Sequence, residues 1–436
     1  MPRKDEAPFN YSALIGAYLA VNAISDAYML VDSTDCSLYK TQYIHGRHDW
    51  NSTLLRSDGF HRISFSNVCV QGAVGDHDAP LRGRVRAMDA VEDAGVVFVT
   101  AMPLCSLTCV DYGRMLRETT GLRRPAIDVP AESLSGDWLD GYATMLESIA
   151  RRIELPRVER RPGAVALVGY LMDRNEGDHR GNLSELSRLL SALGLEVVSI
   201  WLDGGPYAGL ARAAEAETVI ALPYALGAAR VLAQRTGARV VEARLPFGLE
   251  STGRFLREVA AATGRAEAAE RLIAAELARV TPGLRWILPH LFVGRRVLFL
   301  GDPHLASGFA EIAEDLGLRP TGFVATGRER HARVAAAGRA TVLFEPGVAS
   351  AELKELLSRP VDVAVAATCT MGELFDADVP TVEVGFPSYW QHSLARRPFL
   401  GYEGFLCLVD RIGDALAGRL RRMSVERLSA KSGRLA

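Results

Sequence analysis

The sequence predicts an α/β fold built from three doubly wound parallel sheets. Short runs of almost entirely apolar residues recur along the chain, and each run is followed by turn-forming residues and then by a helical stretch. Strands that are buried on both faces of a parallel sheet show this continuous apolar pattern. Because strand and helix alternate over the whole chain, the pattern indicates doubly wound sheets.

The strands follow from the apolar runs themselves. In chain order they are predicted at 26–31, 96–102, 164–171, 197–202, 218–223, 297–301, 341–344, 361–367 and 381–386. Between them, the segments 183–194 and 351–359 have the apolar spacing of amphipathic helices.

Two shifts in composition predict the domain boundaries. The charged segment 151–163 separates a first unit from a second, and a further break lies at 281–296. We therefore predict three α/β domains at 1–158, 159–292 and 293–436. The last two open alike, with a strand, a loop and a helix that ends in a glycine, which indicates a structural repeat.

Composition and charge exclude several classes of partner. The 436 residues include 50 basic and 52 acidic side chains, for a formal net charge of −2, so there is no electrostatic case for nucleic acid or a membrane surface. The first residues lack the apolar core of a signal peptide, and no stretch reaches the roughly 18 apolar residues of a membrane span. We expect a cytoplasmic protein.

The strand-to-helix loops carry no nucleotide fingerprint. Neither GxxxxGK[ST] nor a GxGxxG after a strand is present. The glycines of 301–308 favour an ordinary βα loop, and a cradle for a phosphate is the alternative. If the function requires ATP, another protein binds it.

The cysteines suggest a metal site on one rim of the first sheet. The chain has six: Cys36, Cys69, Cys105, Cys109, Cys369 and Cys407. They form no CxxC pair and no disulfide framework. Cys36 follows strand 26–31 and Cys105 follows strand 96–102, so both are expected at the carboxyl ends of strands, where ligands bind. An iron–sulfur cluster needs several thiolates that converge in loops, so these cysteines are candidate cluster ligands. The alternative interpretation is that they are ordinary buried cysteines without a metal.

The histidines are less informative. His45, His48, His61 and His77 lie in the first unit, and loop histidines of this kind are typically solvated. His392 is better placed, because it follows the last strand beside Tyr389 and a group of arginines. We predict that His392 and Tyr389 bind an anionic or aromatic substrate; packing between domains is the alternative interpretation.

Several longer segments resemble a known family. They are IGAYLAVNAISDAYMLVDSTDC and VVFVTAMPLCSLTCVDY in the first unit, GNLSELSRLLSALGLEV and LPFGLESTGRFLREVA in the second, and VEVGFPSYWQHSLARRPFLGYEGFLCLVDRI in the third. Together they make nearly the whole chain similar to the catalytic-component subunits of nitrogenase-like reductases. The last segment, with G-F-P followed by L-G-Y-E-G, is the most specific and resembles the β-type subunit.

The resemblance implies a fold, a reaction type and partners. Members of the family resemble one another in having three doubly wound domains per subunit, with a metallocluster between α- and β-type subunits. The resemblance implies an oxidoreductase subunit of an ATP-dependent two-component reductase, in a heterotetramer with an α-type paralogous subunit or in a dimer with a second copy of itself. A separate ATP-dependent iron–sulfur protein would deliver the electrons.

The resemblance also implies cluster ligands. Cys36 and Cys105 match two cluster cysteines of the family. The family's earliest cluster cysteine falls four residues before a glycine that is Gly16 here, so its position is occupied by Ser12. Cys69, ranked above Cys109, is then expected to complete the ligand set, unless the cluster has fewer protein ligands. The cluster is expected to be a [4Fe-4S] form or a larger P-cluster-like form.

The resemblance argues against the nitrogenase active-site cofactor in this chain alone. The two cofactor-ligand positions correspond to Ala221 and Leu400, neither of which ligates a metal. Two other functions stay open: a scaffold for metallocluster assembly without turnover, and a diverged binding protein without metal. For proton delivery in a reductase, His392, Tyr389 and His45 are the candidates.

Overall fold

The computed structural model describes residues 11–33, 41–68, 78–102, 105, 110–131, 136–325, 327, 342–344, 351–368 and 379–432. Within these residues the strands are β1 Ala27–Asp32, β2 Ile63–Phe65, β3 Val96–Ala101, β4 Ala126–Asp128, β5 Arg161–Val168, β6 Glu196–Ile200, β7 Ala216–Ala221, β8 Arg239–Glu242, β9 Arg296–Gly301, β10 Arg319–Ala325, β11 Val342–Phe344, β12 Val363–Ala366 and β13 Thr381–Glu383.

The helices follow the strands and cover the sheet faces. They are α1 Ala13–Asn22, α2 Asp78–Asp89, α3 Tyr112–Glu118, α4 Trp138–Arg152, α5 Gly177–Ala192, α6 Tyr207–Leu210, α7 Leu226–Thr236, α8 Leu249–Thr263, α9 Ala266–Ile287, α10 Pro303–Asp315, α11 Ala351–Ser358 and α12 Gly401–Ser432. None of the helices in the described part of the chain is both long and apolar enough to cross a membrane.

The strands form three sheets with the same order, except that the third has one additional edge strand, β11. They run β2-β1-β3-β4, β6-β5-β7-β8 and β11-β10-β9-β12-β13, and the pairs are parallel throughout. In each sheet the strand that comes first in the chain lies in the interior of the sheet: β1 between β2 and β3, β5 between β6 and β7, and β9 between β10 and β12. This architecture confirms the predicted α/β class of three doubly wound sheets. The order reverses beside β1, β5 and β9, and these three switch points are where ligands bind in such folds.

The three sheets share a continuous apolar core. One buried cluster contains Val31 of β1, Leu167 of β5 and Phe299 of β9. Helix α4 of the first unit packs on α7 of the second, and α12 of the third unit packs on α5 of the second, so helices connect the units. Each sheet lies within one of the ranges 1–158, 159–292 and 293–436, while the domain boundaries themselves remain a prediction.

Candidate functional site

The carboxyl ends of β1 and β3 bring Asp32 and Cys105 to one rim of the first sheet. Asp32 ends β1 and is paired with Ala101, which ends β3. The Met102 amide donates to the carbonyl oxygen of Asp32 (2.9 Å), and the Cys105 amide donates to the carbonyl oxygen of Met102 (3.0 Å). The chain therefore turns back at the switch point of this sheet, where Cys105 is only 1% exposed.

The buried Asp32 carboxylate is held by two hydroxyl groups. Ser66 Oγ donates to its Oδ1 at 2.6 Å, and the Tyr112 hydroxyl donates to its Oδ2 at 2.7 Å. Burial, followed by the hydrogen bond to Asp32, raises the pKa of Tyr112 well above its usual value. The tyrosine is therefore a neutral donor over the whole physiological range.

The chemistry of Cys105 fits a metal ligand. Burial, and then the neighbouring Asp32 carboxylate, raise the pKa of the Cys105 thiol to about 11. A thiol with this pKa is protonated at neutral pH, and a metal ion deprotonates the thiol that coordinates it. Sulfur is the soft donor that iron–sulfur clusters use, and a strand-end position lets the following loop adapt to the metal.

The start of α1 lies beside the same rim. Ser12 precedes this helix, and its backbone pairs with Asp137, whose side chain caps α4. Ala13 of α1 lines one small cavity together with Thr100 and Ala101 of β3. The position at which the sequence analysis placed a missing cluster cysteine is therefore next to the strand that leads to Cys105.

The rest of the predicted thiol set falls outside the described residues. This applies to Cys36, Cys69 and Cys109. Among the residues that the structure does describe, no three or more His, Cys, Asp or Glu side chains are grouped so as to hold a metal ion. The predicted ligand set of Cys36, Cys105 and Cys69 therefore stays a prediction.

His392 is held in a polar and aromatic setting between the first, second and third units. Its Nδ1 lies 2.7 Å from Oε1 of the buried Glu176, and its ring stacks on Trp50 with centroids 3.8 Å apart. Glu176 also accepts the amides of Trp50 (2.9 Å) and Ser393 (2.8 Å). His392 lines a cavity of about 550 Å³, together with Arg174 and other side chains.

Tyr389 has a different place from His392. Its amide donates to Thr368 Oγ1 (2.8 Å) and to Glu383 Oε1 (2.9 Å), while the amides of Trp390 and Gln391 donate to the other oxygen of Glu383. Trp390 and Gln391 line the cavity with His392, and Tyr389 is not among its lining residues. The substrate-binding roles of His392 and Tyr389 remain predictions.

A buried polar network at the second switch point was not anticipated from the sequence. His179 Nε2 lies 2.6 Å from Asp173 Oδ1, and His48 Nε2 lies 3.6 Å from the same oxygen. The Tyr170 hydroxyl lies 2.8 Å from His179 Nδ1, and the Asn182 amide donates to that hydroxyl at 3.0 Å. All five side chains are buried.

The electrostatics of this network favour an ion pair. Burial opposes protonation of His179, but the carboxylates of Asp173 and Asp178 outweigh it and raise its pKa above the usual 6.5. Burial likewise opposes ionisation of Asp173, but His179 and His48 outweigh it, and the pKa of that carboxyl lies well below its usual range. Each shift therefore favours the charged form of its side chain, so the two groups favour an ion pair.

The expectation that His48 is solvated is wrong. Its side chain is fully buried, and its ring nitrogens face the Ser388 and Asp173 backbones as well as the Asp173 carboxylate. The available signal was the charged segment DRNEGDH, which begins five residues after the end of β5, since ligands bind beyond the carboxyl ends of strands in such folds.

The comparisons with known proteins assign the chain to a family. Residues 12–417 match the model of the nitrogenase component 1 type oxidoreductases. The chain belongs to this family. The resemblance proposed from the sequence is thereby confirmed, and the protein is a member of an oxidoreductase family.

Individual relatives agree with that assignment. The nitrogenase molybdenum-iron protein beta chain of Bradyrhizobium sp. (strain ANU 289) is 24% identical over 396 residues, covering 80% of this chain and 74% of the relative. A subunit of the light-independent protochlorophyllide reductase of Acidiphilium rubrum is 28% identical over 321 residues, covering 69% of this chain and 60% of the relative. A solved structure of nitrogenase Cp1 at pH 6.5 has the same fold, with a TM-score of 0.79 at 18% identity over 95% of this chain and 94% of that one.

The two positions that the sequence analysis matched to nitrogenase cofactor ligands are filled by apolar side chains. Ala221 ends β7 and Leu400 precedes α12, and both are buried. Leu400 lines a void of about 10 Å³ together with Tyr224 and Asp302, which are joined by a 2.6 Å hydrogen bond. A void of this size holds at most one water molecule.

Proposed function

We propose that this protein is a subunit of a nitrogenase-like, ATP-dependent two-component reductase that carries an iron–sulfur cluster at a subunit interface. The observation that carries the proposal is the buried thiol of Cys105 at the switch point of the first sheet. Family membership supports the redox part of it, because the family consists of oxidoreductases.

In this proposal the cluster is held by Cys36, Cys105 and Cys69, as a [4Fe-4S] or a larger P-cluster-like form. Such a cluster supplies one-electron transfer at low potential. The protein's own part is to keep Cys105 out of water and to place it at the rim with the Met102 and Asp32 backbones. A substrate would bind near His392 and Tyr389.

The partners follow from the same proposal. An α-type paralogous subunit, or a second copy of this chain, would complete the interface, and an ATP-dependent iron–sulfur protein would deliver electrons. One of the two relatives is a beta chain and the other is one subunit of a reductase, which supports a paired assembly. A cytoplasmic location and domains at 1–158, 159–292 and 293–436 belong to the proposal as well.

The test is an iron and sulfide analysis under anaerobic conditions. The chain is co-expressed with its genomic neighbours, purified, and examined for iron, acid-labile sulfide and an EPR signal, in parallel with Cys36→Ala and Cys105→Ala. Cys407→Ala is the matched control, because Cys407 lies on α12, away from the first sheet. We expect iron in the wild type and in the control and its loss in the other two variants. Iron-free wild-type protein in every preparation would overturn the proposal.

A metallocluster-assembly scaffold is the second candidate. It is favoured by Ser12, which stands at the helix start where a thiol would otherwise complete the ligand set. Incubation of the loaded protein with an iron-free acceptor distinguishes the two functions. A scaffold gives up its iron to the acceptor, whereas a reductase subunit keeps its iron and cycles between oxidation states with its reductase partner.

A further inference from the structure

We propose that the cavity beside His392 binds a small organic molecule with two negative charges, through the guanidinium groups of Arg397 and Arg411. The proposed function places a substrate near His392, and this inference names the chemical class of the ligand there. It rests on the proposed function only in taking that ligand to be the substrate. The binding itself uses side chains between residues 174 and 415, and Cys105 is not among them.

The cavity has the size and the lining of a small-molecule site. Its volume of about 550 Å³ lies within the roughly 300–1,000 Å³ of ligand pockets, so it is large enough for an organic body as well as for the charged groups. Arg174 lies on its second-unit side, directly before α5, while Arg397 and Arg411 lie on its third-unit side. Three arginines from two units therefore line one cavity.

Arg411 is held in place by neutral groups. Its Nη2 donates to the carbonyl oxygen of Glu383 and to Oε1 of Gln391, the second at 2.7 Å. Among the residues that the structure describes, no carboxylate forms an ion pair with this half-buried guanidinium. Burial lowers the pKa of Arg411, and Arg174 adds to that effect while Asp178 opposes it. The guanidinium is therefore fixed in orientation, and its charge is not fully neutralised by the protein.

Arg397 supplies the second positive charge. Its amide donates to the carbonyl oxygen of Gly177 at 3.1 Å, while its exposed side chain forms no ion pair within the described part of the chain. Burial raises the pKa of the Cys407 thiol, and Arg397 and Arg411 both act against that rise, so the two guanidinium groups lie near one point of α12. Guanidinium groups bind carboxylates and phosphates through charge-assisted hydrogen bonds, and two of them match two negative charges.

The carboxylates nearest to these arginines are already engaged. Asp178 accepts a hydrogen bond from Nε of Arg174 at 2.9 Å. Glu383 accepts the amides of Trp390 (2.9 Å) and Gln391 (2.7 Å) through one of its oxygens. These acceptors are therefore occupied, and they leave the N–H groups of the third-unit arginines to a ligand.

His392 lines the cavity but is not the group that binds the anion. Its Nδ1 lies 2.7 Å from Glu176 Oε1, and its Nε2 lies 3.3 Å from the carbonyl oxygen of Tyr389. Both ring nitrogens thus have partners in the protein, and the donors to the ligand are the arginines. Of the two acidic residues that line the cavity, Asp414 is the exposed one, and its charge opposes an anion.

The test is isothermal titration calorimetry of the purified full chain at constant ionic strength. Succinate and inorganic phosphate are the probes, and butyrate, which has the carbon number of succinate and one carboxylate, is the matched ligand. We expect butyrate to bind about tenfold more weakly than the better probe. Tighter binding of succinate identifies a dicarboxylate as the ligand, and tighter binding of phosphate identifies a phosphate ester. No saturable binding of either probe, or equal affinity for butyrate, would overturn the inference.

Arginine variants locate the binding. Arg411→Gln and Arg397→Gln should each weaken it about tenfold, because each removes one charge-assisted contact. Arg397→Gln also serves if Arg411→Gln does not fold, since the side chain of Arg397 is exposed. Arg271→Gln, on an exposed side chain of α9, is the matched control and should leave the affinity unchanged. Asp414→Asn should strengthen binding.

The results separate this inference from the proposed function. Unchanged affinity in both cavity variants, or an equal loss in Arg271→Gln, would overturn the assigned site. Iron-loaded protein that binds neither probe overturns this inference alone. Wild-type protein that contains no iron but binds a probe through Arg397 and Arg411 overturns the proposed function and supports the site.

Discussion

Gly16 and Gly141 meet the backbones of opposite helices where α1 packs on α4. A Cβ atom on Gly16 would lie 1.8 Å from the carbonyl oxygen of Trp138, and a Cβ atom on Gly141 would lie 1.8 Å from the carbonyl oxygen of Ala13. Each glycine thus makes room for the other helix. This reciprocal contact fixes the start of α1, and with it Ser12, beside the rim of the first sheet.

Replacement of Gly16 by alanine is expected to destabilise the protein. The added methyl group would overlap backbone atoms, which rotamer changes do not relieve, so we expect a loss of about 3 kcal/mol in the free energy of unfolding. Urea denaturation measures it. Gly83→Ala is the matched control, because Gly83 is exposed within α2 with nothing near its Cβ position. There the free energy should stay the same or rise by up to about 1 kcal/mol. Equal losses in the two variants would contradict the close approach.

The main strands and the fold class were predictable from the sequence. Every run identified as a strand corresponds to an observed one within a few residues, because strands buried on both faces leave an apolar signal. The strands not identified are β2, β4, β8 and β10. Three of these are only three or four residues long, and β10 begins with Arg319 and Pro320, so their composition does not distinguish them from loops.

The candidate site was predictable only in part. The switch-point rule placed Cys105 at a strand end, and the structure agrees. It did not identify Asp173 or His179, because a buried ion pair depends on residues that meet only in the folded chain. The L-G-Y-E-G motif was useful for the family resemblance, and its local contacts hold the start of α12: Asn182 accepts the amide of Leu400, and Glu185 accepts that of Tyr402.

Glu176→Ala is expected to loosen the loop that carries His392. The change leaves the amides of Trp50 and Ser393 and the His392 ring without their acceptor, at a cost of about 3 kcal/mol. Tryptic cleavage after the exposed Arg396 should then accelerate in proportion to the opening of the loop. Glu250→Ala, on an exposed side chain, is the control, and its cleavage rate should match that of the wild type. An unchanged rate in Glu176→Ala would show that the loop is held by other contacts.

The Cys105 thiol is expected to react slowly in iron-free protein. With a pKa of about 11, roughly one thiol in a thousand is ionised at pH 8, against about a quarter of thiols with the ordinary value near 8.5. Alkylation by iodoacetamide, followed by mass spectrometry of the peptide, should therefore be on the order of a hundredfold slower than in the urea-denatured chain. Asp32→Asn should speed it and Asp26→Asn should not. Equal rates in folded and denatured protein would contradict the burial of this thiol.

The Asp173–His179 pair is expected to make stability depend on pH. The pKa of His179 is raised above 6.5 in the folded state. Its contribution to the free energy of unfolding is therefore complete below pH 6.5 and is lost as the pH rises through the raised pKa. The pKa of Asp173 is lowered, so its contribution is present above the unfolded value near 3.8 and is lost as the pH falls below it. The pair therefore stabilises most between about pH 4 and pH 6.5.

Asp173→Asn should reveal this window. Because the variant leaves a buried imidazole without its carboxylate, the free energy of unfolding at pH 6 should fall by about 3–5 kcal/mol, and the difference from the wild type should shrink toward pH 9 as His179 loses its proton in both proteins. Urea denaturation at several pH values measures the difference, and the exposed Asp414→Asn is the control, for which it should stay near zero throughout. NMR gives an independent readout, since the His179 ring should lose its proton at a higher pH in the wild type than in the variant. A difference that is the same at pH 6 and pH 9 would mean that the two side chains are joined by a neutral hydrogen bond and not by an ion pair.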